Sequence, residues 1–137
     1  MDQSIHEIAG KLKVSFNSEV CAVIDQWSSY AVTVDEFRDA VLKRGVDYGK
    51  SHGVRAWIVD SSTAKGAFSP EIQVAIEQEV FPMFAKIGVK YFLTITSQSA
   101  LTNLSIKTYT SKLGPNGISL VEVKSIADAV GWLSANA

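Results

Sequence analysis

The chain has 137 residues, 47% of them apolar, with 13 basic and 14 acidic side chains and a formal charge of −1. That length favours one domain, large enough to bury roughly two-thirds of its unfolded surface without metals or disulfides. A balanced charge with a pI of about 6.1 speaks against a general nucleic-acid binder, and no run approaches the ~20 apolar residues of a membrane span.

Residues 1–10 read as an N-terminal arm, without the basic start and apolar stretch of a secretory signal. Leu12 to Phe16 and Glu19 to Trp27 are short runs rich in Val, Phe and Ile, separated by Asn17 and Ser18. They predict a β-hairpin. In its second run Cys21, Val23, Asp25 and Trp27 share one face, and the apolar character of both faces predicts an inner strand.

Thr33-Val-Asp-Glu36 is a capping box, and the helix it opens is expected to run to about His52, with Gly53 as its stop. Gly45 and Gly49 weaken its interior by about 1 kcal/mol each relative to alanine. Arg55 to Asp60 is the next strand. After a loop over 63–68, Ser69-Pro70-Glu71 starts a second helix whose stripe is Ile72, Ile76, Val80, Met83, Phe84 and Ile87. Pro82 lies inside that stripe and is expected to kink it or end its regular part.

Val89 to Ile95 predicts a central strand, Ala100 to Leu113 a Ser/Thr-rich helix, Gly114-Pro-Asn-Gly117 a loop, and Ile118 to Val123 a last strand. Ser125 caps a final helix. The order ββαβαβαβα implies an α/β fold with a mixed, mostly parallel sheet of four to five strands and packed helices.

This order, with Asp60-Ser61-Ser62 closing the strand before the second helix, resembles the STAS fold of the anti-sigma factor antagonists. A divergent, largely uncharacterised bacterial branch of STAS-like proteins is nearer still. The residues that carry the likeness are Trp57-Ile58-Val59-Asp60, Glu79-Val80-Phe81-Pro82 with Gly88-Val89-Lys90, Ala129-Val130-Gly131-Trp132-Leu133, and Phe37-Arg38. The resemblance implies that residues 1–137 form a single STAS-like domain.

In the antagonists a serine in Asp-x-Ser-Gly is phosphorylated by a partner kinase, which releases that partner. Asp60-x-Ser62 matches this pattern, so the resemblance makes Ser62 the phosphorylation candidate. Thr63 stands where the family has glycine, and the helix start at Ser69 lies seven residues further on. Ser61, Ser62 and Thr63 serve equally well to satisfy loop backbone groups.

Asp60 falls at the carboxyl end of a central strand, where α/β proteins place functional groups. The following loop offers Ser61, Thr63, Lys65, Gly66 and Phe68 for an interaction, with Lys65 and Gly66 suited to an anion. Trp27, Tyr30 and Trp57 with Phe68 could wall an apolar pocket at this edge, or serve as core and dimer contacts.

The sequence offers no nucleophile elbow, no paired carboxylates and no metal-ligand spacing around His6 or His52; no catalytic residue, metal or cofactor is assigned. Cys21 reads as an inert core thiol within a strand. With one cysteine and no disulfide, a cytoplasmic setting is expected. The expectation is a non-enzymatic regulatory module that binds another protein, of unspecified identity, or a second copy of itself as a homodimer. The alternative is a small-molecule or lipid-binding STAS-like module with its pocket at the carboxyl edge of the sheet.

Overall fold

A computed structural model of the chain describes residues 2–66, 68–95 and 111–136. Among these, seven strands form one mixed sheet: β1 (Asp2–Ile8), β2 (Leu12–Asn17), β3 (Ala22–Trp27), β4 (Ala56–Asp60), β5 (Tyr91–Ile95), β6 (Ser111–Leu113) and β7 (Ser119–Val123). Their spatial order is β1-β2-β3-β4-β5-β7-β6. The four inner strands β3, β4, β5 and β7 run parallel, and β1, β2 and β6 add to the two sides antiparallel.

The sheet is therefore wider than the four to five strands expected. Residues 2–8, read as an arm, pair along β2 in a register interrupted by a bulge between Ser4 and His6. A polar edge strand with a bulge carries little apolar signal, which is why it reads as an arm. The helix expected over 100–113 falls mostly outside the described residues, and its last three residues form β6 instead. Asn116 and Gly117, both with positive φ, turn the chain from β6 into β7.

Three helices are described. α1 spans residues 34–51, with a wider π-type stretch at Arg38–Gly45. Its capping box is formed as expected: Glu36 N donates to Thr33 Oγ1 at 3.1 Å and Thr33 N to Glu36 Oε1 at 2.9 Å. α2 spans residues 70–87 and is capped by Ser69. Pro82 does not end it, but the regular α-helical geometry gives way just before the proline. In a regular helix its ring would meet the Gln78 carbonyl, and Gln78 sits in a second π-type stretch, Ile76–Val80, that widens the turn. α3 is Ile126–Ala135, capped by Ser125.

The pleat of the sheet sorts its side chains into two cores. Leu12, Val14 and Phe16 of β2, Val23 and Trp27 of β3 and Trp57 of β4 meet α1 and α2. Ala22, Ile24, Ile58, Leu93 and Val121 meet Ala129 and Leu133 of α3 on the other face. Arg55 fastens α3 down, donating to the carbonyls of Val20 and Leu133, each at 3.0 Å. A cation there also meets the negative end of the helix.

The two glycines of α1 have a packing role. A Cβ on Gly45 would lie 3.0 Å from the Trp57 ring, and one on Gly49 3.0 Å from Val54. Glycine brings the helix onto the sheet at both points.

Candidate functional site

β4 ends at Asp60, and the chain then leaves the sheet. Asp60 Oδ1 accepts from both Ser62 N, at 3.0 Å, and Ser62 Oγ, at 2.6 Å. This is an Asx-type turn closed by a charge-assisted hydroxyl bond. Ser61 N donates to the Ile95 carbonyl at 2.8 Å, which extends the β4–β5 pairing past the strand end. The Tyr30 and Ser61 hydroxyls are hydrogen-bonded to each other.

Further along, the loop is tied to the segment that follows β3. Lys65 N donates to the Ser28 carbonyl at 3.1 Å, and Tyr30 N to the Lys65 carbonyl at 3.0 Å. Both backbone groups of Lys65 are thus engaged, so its amide is not offered to an anion. What faces solvent is the tip: Thr63, Lys65 and Gly66 are exposed, and Ser62 is half-buried. Gly66 sits at φ +83° with open space where a side chain would be. The loop is pinned at its base and displayed at its tip.

Phe68 returns the chain to the core. Its ring lies 4.1 Å from Tyr30, 5.0 Å from Trp27 and 5.4 Å from Phe37, and Trp27 also stacks on Phe37 at 6.1 Å. Trp27, Tyr30 and Phe68, three of the four aromatics expected at a pocket, pack on one another and on α1. Trp57 is elsewhere. It is wholly buried, stacked on Phe84 at 4.1 Å, with Nε1 donating to Asp25 Oδ2 at 2.8 Å.

Asp25 is the residue that sequence reasoning passed over. It is 2% exposed, and its Oδ1 is buried with no hydrogen-bond partner. Burial raises its carboxyl from 3.8 to about 7, against a smaller lowering by the Trp57 hydrogen bond. The signal was in the sequence: an acid in phase with Val23 and Trp27 on the core face of an inner strand.

Cys21, expected inside β3, lies instead in the turn before it, at φ +53° and half-buried. The side chain of Asn17 accepts from Glu19 N at 2.9 Å and Val20 N at 3.3 Å. That turn delays the start of β3 until Ala22. The histidines stand apart from the loop. His52 Nδ1 lies 2.8 Å from the Tyr48 carbonyl, and His6 Nε2 lies 3.9 Å from Asp39.

No helix of the described residues is long and apolar enough to cross a membrane. Comparison of the chain with protein-family models, with curated proteins and with solved structures gives no match.

Proposed function

We propose that this chain is a non-enzymatic, STAS-like interaction module that offers the loop from Asp60 to Phe68 to a protein partner, with Ser62 as the residue whose phosphorylation switches the contact. The observation that carries this reading is the Asp60–Ser62 bond at the base of a displayed loop. Phosphorylating Ser62 removes the proton it donates and sets a dianion beside the Asp60 carboxylate. Like charges at that distance repel, so the loop would leave its present turn. The cap of α2 is at Ser69, so the expected effect is displacement rather than docking on a helix N-terminus.

Two further features favour a binding module over an enzyme. The Ser61 and Ser62 hydroxyls are engaged by Tyr30 and Asp60, while His6 and His52 contact Asp39 and Tyr48. The aromatic rings near the loop fill one another's surfaces, which favours a packed wall over a lined cavity.

The test is a native mass spectrum of the protein isolated from its own organism, repeated after denaturation and followed by peptide mapping. A covalent phosphate on Ser62 is the expected result, and an unmodified Ser62 removes the switch. A mass excess lost on denaturation would move the reading to a carried small molecule, the second of the two expectations. The same native spectrum reads the homodimer as twice the chain mass.

A further inference from the structure

Asp25 sits in the middle of the core that joins the sheet to α1 and α2, and the preceding reading makes no use of it. Opposite it in the sheet stand Val14 on β2 and Val59 on β4. The buried positions of α1 and α2 are aliphatic, aromatic or glycine throughout. Their charged side chains, among them Arg38, Asp39, Glu77 and Glu79, are exposed or half-exposed. The other titratable groups at this core, among the described residues, include Cys21, Tyr30 and Tyr48, each partly buried; His52, exposed, with its ring 5.6 Å from Phe16; and His6, half-buried on β1 opposite Val14 and 3.9 Å from Asp39. Asp25 is the sole buried ionisable side chain among the described residues.

One carboxyl oxygen holds Trp57 in place and the other has no partner. A neutral carboxyl can keep the bond to Trp57 at modest cost. A carboxylate there would be a charge in an apolar layer with one hydrogen bond and no cation, which is costly to bury. We propose that Asp25 is a proton-linked switch built into the fold: protonated, it lets α1 and α2 seat on the sheet; ionised, it favours a loosened packing that admits water to its free oxygen. The inference is independent of what Ser62 does.

The direction follows from where the proton sits. Burial holds the Asp25 proton up to about pH 7 in the folded chain, whereas the unfolded chain loses it near the ordinary value of 3.8. Between those values folding takes up a proton. The stability this group contributes is complete below about pH 4, and is lost as pH rises through about 7.

Two measurements test the proposal. The first follows the side-chain carboxyl carbon of Asp25 by NMR in the unaltered protein as pH is raised. A midpoint near 7 is expected; a midpoint near 4 overturns the proposal. The second measures amide protection factors in α1, α2 and α3 from pH 5 to 8, in the wild type and in Asp25→Asn. Protection in α1 and α2 should fall by up to about tenfold per pH unit in the wild type, relative to the variant. α3, packed on the opposite face, should fall less. Equal pH dependence in both proteins, or a uniform fall across all three helices, overturns the switch. Should Asp25→Asn not fold, Trp57→Phe replaces it. Removing the bond that lowers the Asp25 pKa should move the carbon titration upward, and an unmoved midpoint counts against the proposal.

Discussion

Asp25 and Asp60 lie on neighbouring parallel strands, one register step apart: Asp25 stands opposite Val59, and Asp60 opposite Gln26. That single step places them on opposite sides of the pleat. Asp25 enters the layer under α1 and α2, where it finds one donor, the Trp57 indole. Asp60, at the strand end, finds two donors within the next two residues, the amide and hydroxyl of Ser62. The same side chain is thus a source of strain in one place and an organiser of a turn in the other. Burial and the supply of donors decide which.

The sharpest way to break this contrast is to remove what Asp25 holds. Trp57→Ala deletes a fully buried ring stacked on Phe84 and leaves the Asp25 carboxyl with no partner at all. A loss of about 3–5 kcal/mol is expected from the vacated volume alone. Urea unfolding should show it as a large drop in midpoint, with an unchanged slope. A loss under about 1 kcal/mol would mean that the core closes over the gap, and that Trp57 is less tightly held than its contacts imply.

Next in size is the pH effect. Between about pH 4 and 7 the wild type should lose stability steadily relative to Asp25→Asn, by on the order of 1 kcal/mol per pH unit, with no further divergence above about 8. Unfolding curves of the two proteins at several pH values read this directly. Parallel curves would mean that burial does not set Asp25 apart, and would dissolve the comparison.

How much of this was legible beforehand differs between the two regions. The helix starts at Thr33, Ser69 and Ser125 were readable because a cap is a local device, complete within four residues. The inner strands were readable because both of their faces are apolar. β1 was not, since an edge strand of alternating polar residues is stabilised by its neighbour and not by its own pattern. Gly45 and Gly49 looked like defects in a helix because their reason lies in Trp57 and Val54, on or beside another element. Asp60 and Ser62 were found through spacing, which is local. The pairing of Asp25 with Trp57 spans 32 residues; the sequence shows both partners but not that they meet.

Around Asp60 the expected effects are smaller, and they separate support from display. Tyr30→Phe removes the hydroxyl that reaches Ser61 and leaves the ring against Phe68. About 1 kcal/mol should be lost. Faster hydrogen exchange is expected at the amides of Ser61 and Lys65, with the rest of β4 unchanged. If exchange rises through β4 and β5 as well, the loop is part of the sheet's stability and not a displayed segment.

Ser62→Glu should cost folding about 1 kcal/mol, no more than Tyr30→Phe, because the bonds it breaks are made within its own turn and the turn can open to separate the charges. Its consequence should be positional. A carboxylate at 62 cannot donate to Asp60, and the two anions should drive the turn open, which chemical shifts from Asp60 to Phe68 would report. Ser62→Ala is the matched control: it loses the hydroxyl bond but keeps the 3.0 Å amide bond to Asp60 Oδ1, so its loop should stay near the wild-type position. Loop shifts in the glutamate variant alone are what charge repulsion at Asp60 requires. If both variants move the loop alike, the hydroxyl bond itself holds the turn. Added charge then has no separate lever, and the phosphorylation reading loses its mechanical basis.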